Sequence, residues 1–183
     1  MEIYPEFLDL TVPERITGAP KMNDLLDRHK NYLRGRLVRA AYSIAKTARA
    51  QGLKALPLSG EGPSVDSRFL KGVISFKEAA QAAGLGEIGM SGLFITREYG
   101  PRVLLNLCLT GAELESTPGK DTQACRYCNI CVFKCPARAI GYPKRDEGEK
   151  CAVNVFACSQ YVVSAGGCSE CMRVCPVASP RYE

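Results

Sequence analysis

Nine of the ten cysteines in this 183-residue chain lie between residues 125 and 175. The first four stand in C-R-Y-C-N-I-C-V-F-K-C-P, which has the spacing C-x2-C-x2-C-x3-C-P. Three thiolates at this spacing reach three corners of one iron–sulfur cube from a single tight loop, and the fourth ligates the other cluster in two-cluster proteins. Zinc sites usually use C-x2-C pairs that lie far apart, and disulfides need an oxidising compartment. The segment therefore predicts iron–sulfur clusters.

A second, incomplete motif follows in C-S-E-C-M-R-V-C-P, and Ala165 stands where its first cysteine would be. Crossed ligation between the two motifs predicts two [4Fe–4S] clusters. The expected ligands of cluster A are Cys125, Cys128, Cys131 and Cys175. Those of cluster B are Cys135, Cys168, Cys171 and either Cys151 or Cys158. The last two are predicted to lie two turns apart on one face of a helix over residues 151–161, so either can reach the cluster.

The polar stretch 115–123 is predicted to be a linker between a body, residues 1–115, and the cysteine-rich module, residues 121–183. Apolar residues at spacings of three, four and seven predict a long amphipathic helix over residues 23–51, which ends at Gly52. The residues before it form an arm with three prolines, which is predicted to be extended.

Farther along the body, residues 53–58 are predicted to form a short strand. Ser75 and Glu78 form a capping box for a short helix that ends at Gly84. Two apolar runs, 93–96 and 102–110, flank the turn E-Y-G-P and are predicted to pair as antiparallel strands. Cys108 lies inside the second run and is predicted to be a buried hydrophobic residue rather than a ligand.

Charge and composition narrow the possible functions. The net charge of +5 falls to about +1 when eight thiolates hold two dicationic clusters, so a nucleic-acid partner is not expected. No apolar run approaches 18 residues, and the acidic N-terminal segment does not resemble a signal peptide, so we expect a cytoplasmic protein without a membrane span. The single histidine, His29, is expected on a solvated helix face.

Residues 83–100 read A-G-L-G-E-I-G-M-S-G-L-F-I-T-R-E-Y-G and precede the cysteine module. This order resembles the superfamily of epoxyqueuosine reductases and reductive dehalogenases. The segment matches their pattern A-G-L-G-x-x-G-x-x-x-L-x-I-T-x-x-Y-G at every named position. The resemblance extends over about residues 25–178 and includes the incomplete second cysteine motif.

The resemblance implies an α+β fold in which a partial nitroreductase-like body precedes a bacterial-ferredoxin-like two-cluster module. In the family the body holds cobalamin, so the glycines of the matched turn would face the corrin; these are Gly84, Gly86, Gly89 and Gly92. Asp66 is the nearest match to the proton-donating aspartate of the queuosine enzymes. The family places the remaining ligand of cluster B about sixteen residues after Cys135, and this position favours Cys151.

The function expected from these features is that of an iron–sulfur oxidoreductase component. Two clusters would relay single electrons to a cofactor, cobalamin among the candidates, or to a substrate held by the body. The alternative is a non-catalytic, ferredoxin-like electron carrier that docks to a partner redox enzyme. Family members carry a longer N-terminal segment, so a homodimer is expected to complete the pocket, with the arm 1–22 and helix residues such as Leu33 and Leu37 at its interface.

Overall fold

The computed structural model describes residues 1–9, 23–58, 65–66, 68, 70–72, 74–115, 123–142 and 152–177. These residues form a mixed structure of helices and short strands. The body contains α1 (Pro5–Asp9), α2 (Asn23–Ala50), β1 (Ala55–Pro57), β2 (Val65–Asp66), β3 (Lys71–Gly72), α3 (Phe76–Ala82), β4 (Glu87–Ile88), β5 (Phe94–Ile95) and β6 (Cys108–Thr110). The cysteine-rich module contains α4 (Ile130–Phe133), β7 (Ile140–Gly141), β8 (Ala152–Val153), α5 (Val155–Ser164) and α6 (Glu170–Arg173).

The long predicted helix is confirmed as α2, and it organises the body. Its apolar stripe buries four residues at helical spacing, which are Leu26, Leu33, Ala41 and Ala45. Gly52 follows the helix with φ of +77°, the left-handed conformation that ends many helices. The C-terminal half of α2 packs on β1 and β6.

The N-terminal arm joins the two parts of the chain. Its first residues run along residues 102–104, where the Ile3 N–H donates to the Arg102 carbonyl at 2.8 Å. The arm was predicted to be extended, but Pro5 begins the short helix α1, because a proline suits the first position of a helix. Ile3 and Leu8 are buried with Leu26 and Leu33 of α2. Met172 of α6 packs against the same cluster, so one apolar core spans body and module.

The predicted pairing of runs 93–96 and 102–110 is wrong. β5 pairs antiparallel with β4, and β6 pairs antiparallel with β1. The predicted E-Y-G-P turn closes locally instead, through two hydrogen bonds between Thr96 and Gly100 of 3.0 and 2.9 Å. The β4–β5 hairpin needs only the short turn between residues 88 and 94, so its loop-closure cost is low.

Helix α3 supports that hairpin. The serine half of the predicted capping box is present at its start, where the Ser75 Oγ accepts the Glu78 N–H. Near its end, Gln81 Oε1 accepts the Ile88 N–H at 2.9 Å, and Lys77 Nζ donates to the Gly92 carbonyl at 2.6 Å. These contacts hold the glycine-rich turn from one side.

The predicted helix over residues 151–161 begins later than expected. Ala152 and Val153 form β8, which pairs antiparallel with β7, and the helix α5 starts at Val155. Asn154 caps α5, since its side-chain oxygen accepts the Ala157 N–H at 3.0 Å. Cys158 therefore lies in the first turn of α5, whereas Cys151 lies outside the described residues. Among the described helices, none is both long and apolar enough to span a bilayer.

Candidate metal centre

The first cysteine loop curls around a cavity. All four cysteines expected for cluster A line this one cavity: Cys125, Cys128, Cys131 and Cys175. Cys171, expected for cluster B, lines it as well. Tyr127 and Asn129 have φ of +49° and +62°, and both lie between cysteines of the loop. Such left-handed residues are rare outside glycine, and they turn the chain sharply enough for successive thiols to face the same space.

Burial and mutual proximity govern the thiols of this group. Burial, together with the charges of the three loop cysteines, raises the pKa of the Cys175 thiol to about 11. Burial likewise raises the pKa of Cys131, with additional contributions from Cys125 and Cys128. The second motif thus supplies its last cysteine to the loop of the first motif, as crossed ligation requires.

The remaining described cysteines of the module form a second group. Burial, together with the charges of Cys168, Cys158, Cys131 and Cys135, raises the pKa of the Cys171 thiol to about 12. Burial also raises the pKa of Cys158, and here the neighbouring charges are those of Cys168 and Cys135. Cys158 is therefore the described cysteine that completes a set of four with Cys135, Cys168 and Cys171.

A chain of hydrogen bonds explains how Cys158 reaches this group. The Ala139 N–H donates to the Cys135 Sγ at 3.3 Å. The Asn154 N–H donates to the Ala139 carbonyl at 2.8 Å, and the Cys158 N–H donates to the Asn154 carbonyl at 3.1 Å. These hydrogen bonds hold the first turn of α5 close to Cys135, with Ala139 and Asn154 between them.

The chemistry of these donors fits iron–sulfur clusters. Buried thiols with raised pKa values lose their protons when a cationic centre binds, which couples ligation to the centre. Among the described residues, no three histidine, cysteine or carboxylate side chains converge on a point where one metal ion would be bound. A four-iron cluster instead requires thiolates spread over separate corners, and each group contains four cysteines.

The glycine-rich turn lies directly against the first cysteine loop. A Cβ atom on Gly89 would stand 3.3 Å from the Cys125 Sγ and would overlap the Ile95 side chain. Gly92, with φ of +69°, lies close to Val153 of the module. Gly84 follows α3, and Gly86 abuts the backbone of Ile95. Gly86, Gly89 and Gly92 thus pack against other residues of the chain, and contact of the turn with a corrin stays a prediction.

Glu87 is a site residue that sequence reasoning missed. Its side chain is 4% exposed, and one carboxylate oxygen accepts the N–H groups of Ala124 and Cys125, both at 2.6 Å. Glu87 occupies a variable position of the matched segment, so no motif marked it. The only signal was a charged residue between apolar neighbours in a short strand.

One charged side chain of α2, Lys30, lies near the second cysteine group. Lys30 shares a helix face with Leu26 and Leu33, whose core contacts Met172 beside Cys171. Burial lowers the pKa of Lys30, while the charges of Asp27, Cys171 and Cys168 raise it. His29, expected to be solvated, is instead half-buried and stacks on Phe7 with a centroid distance of 4.3 Å.

Two further predicted residues have partial outcomes. The backbone of Asp66 lies in β2, but its side chain lies outside the described residues, so its role as a proton donor stays a prediction. Cys108 lies in β6 as expected but is half-buried rather than buried.

Comparisons with known proteins give related reductases. No protein-family model matches the chain. It is 31% identical to the tetrachloroethene reductive dehalogenase of Desulfitobacterium hafniense over 88% of this chain and 30% of that protein. It is 31% identical to the epoxyqueuosine reductase of a Synechocystis species over 68% of this chain and 48% of the relative.

A solved structure agrees with these relatives. The epoxyqueuosine reductase of Streptococcus thermophilus superposes with a TM-score of 0.52 and 25% identity, over 81% of this chain and 39% of that one. The chain thus spans less than half the length of the relatives that it matches.

Proposed function

We propose that this chain, which belongs to the superfamily of reductive dehalogenases and epoxyqueuosine reductases, is an iron–sulfur oxidoreductase component with two [4Fe–4S] clusters. Such clusters supply one-electron transfer when bound. The observation that carries the proposal is the division of eight described cysteines into two groups of four that cross between the motifs.

The proposed ligands of cluster A are Cys125, Cys128, Cys131 and Cys175. For cluster B we propose Cys135, Cys168, Cys171 and Cys158, because α5 begins at Val155 and Cys158 lies near Cys135 and Cys168. Cys151, which the family resemblance favours, lies outside the described residues and stays the alternative fourth ligand. In this arrangement Cys125 lies beside Gly89, so cluster A is the one nearer the body. Electrons would pass between the body and a redox partner through both clusters.

The test is the metal content of protein reconstituted without oxygen. Two clusters require about eight iron and eight acid-labile sulfide per chain. Reduction should give the electron paramagnetic resonance (EPR) spectrum of two interacting paramagnetic clusters. Cys108→Ala is the matched control, since Cys108 lies in β6 of the body, and it should keep the full iron content. About four iron per chain, or zinc in place of iron, would overturn the proposal.

The alternative, a non-catalytic electron carrier that docks to a partner enzyme, has its own support. Gly86, Gly89 and Gly92, which face the corrin in the family pattern, pack here on Ile95, Cys125 and Val153 of the same chain. Anaerobic gel filtration with added cobalamin, and separately with a flavin, distinguishes the two functions. A cofactor that co-elutes with the protein supports the oxidoreductase component, and failure of both to co-elute supports the carrier.

A further inference from the structure

A buried carboxylate ties the body to the loop of cluster A. Glu87 begins β4, and its two short hydrogen bonds hold the N–H groups of Ala124 and Cys125 at the start of the cysteine loop. Ile95 of the paired strand is 2% exposed and packs on Ala124, with Cys125 and Cys175 against the same cluster. Glu87 is therefore an acidic group of the body that contacts the backbone of Cys125, the first proposed ligand of cluster A.

We propose that Glu87 is a positioning residue that keeps the reduction potential of cluster A below that of cluster B. The inference rests on the proposed two-cluster function. Each reduction adds one negative charge to a cluster, and a fixed negative charge nearby opposes it. Glu87 also accepts the N–H groups of Ala124 and Cys125, so these two donors bond a carboxylate and not cluster sulfur.

The surroundings of cluster B differ from those of cluster A in charge. Backbone N–H groups bond ligand sulfur at both clusters: at Cys131 and Cys175 of cluster A, and at Cys135 of cluster B, where the Ala139 N–H donates to Sγ at 3.3 Å. The positive side chain of Lys30 lies within electrostatic range of Cys168 and Cys171. Arg126 also lines the cavity of cluster A, but it is exposed, so solvent and salt screen its charge more strongly than that of buried Glu87.

The decisive variant is Glu87→Gln, which keeps the size of the side chain and an oxygen that can accept both N–H groups. In a potential-controlled EPR titration, the ratio of reduced to oxidised cluster A at a fixed potential should rise about tenfold. For a one-electron couple this corresponds to an increase of about 59 mV in the reduction potential. The ratio for cluster B should stay unchanged. A purely structural role would leave both potentials where they are. Glu113→Gln is the control, because Glu113 is exposed.

A second measurement does not depend on folding of that variant. In wild-type protein reduced by one electron, the unpaired electron should reside on cluster B. Cys168→Ser changes the spectrum of cluster B and identifies its signal. An electron that resides on cluster A overturns the inference.

Iron content separates the two proposals. About eight iron per chain in Glu87→Gln with unmoved potentials overturns the role of Glu87 and leaves the two-cluster function intact. Fewer than two clusters in wild-type protein defeats the proposed function itself.

Discussion

At the scale of single residues, the start of helix α5 places Cys158 near the other cysteines proposed for cluster B. Cys158 lies one turn after the Asn154 cap, and its backbone is linked through Ala139 to Cys135. The family resemblance favours Cys151, which lies outside the described residues, so that ligand stays a prediction. β8 between the two cysteines removes the common helix face on which both were expected.

We expect Cys158→Ala to lose or degrade cluster B, because one corner of the cluster then lacks a protein thiolate. The variant should retain about half the iron of wild-type protein, measured with sulfide after anaerobic reconstitution. Cys151→Ala is the matched control and should keep both clusters. The reverse pattern would show that the family position of the ligand applies here.

At the scale of elements, the docking of α1 on α2 depends on the ionisation of one residue. The Tyr4 N–H donates to His29 Nε2 at 3.3 Å, which requires the neutral ring, and Phe7 and Tyr4 both stack on it. Burial lowers the pKa of His29 below its ordinary value of 6.5. The unfolded chain therefore binds this proton at higher pH than the folded chain does.

The stabilisation from neutral His29 is fully present above pH 6.5 and is lost as the pH falls from there through the lower pKa of the folded state. We expect a modest loss, because the ring is only half-buried. His29→Phe keeps a ring for stacking but cannot titrate, so it should become more stable relative to wild type between pH 7.5 and 5.5. Urea unfolding at both pH values measures this difference, and a difference independent of pH would contradict the prediction.

At the scale of the whole molecule, the two-stranded sheet of β1 and β6 leaves one face uncovered in the described part of the chain. Leu56 and Leu109 are cross-strand partners, and they are 53% and 40% exposed. By contrast, Leu33, expected at a subunit interface, is buried against residues of the arm. The apolar surface open to a second chain therefore lies on the sheet rather than at Leu33.

We predict a homodimer that uses this sheet face, of about twice the 19.9 kDa chain mass. Leu56→Asp should yield monomers. Burying an uncompensated polar group in an apolar interface costs roughly 2–7 kcal/mol, and an unpaired charge costs more. Light scattering coupled to gel filtration measures the mass. Val163→Asp, at an exposed position on α5, should leave the dimer intact. A wild-type monomer at micromolar concentration would contradict this prediction.

Features that depend on local order were accessible from the sequence. Periodicity and a following glycine predicted α2 and its end, because an amphipathic helix needs only residues a few positions apart. The capping box of α3 is equally local. The cysteine spacing of the first loop predicted which residues would share a cavity, since three of them lie within seven residues of each other.

Only the tertiary structure decided which distant segments meet. β6 pairs with β1 and not with the apolar run that precedes it, and this pairing joins strands that are far apart in sequence. Burial of Glu87 arises because β4 and the cysteine loop, 37 residues later, come together. Sequence patterns treat every carboxylate as a polar, exposed residue. The role of Glu87 depends instead on the backbone N–H groups that the fold places around it.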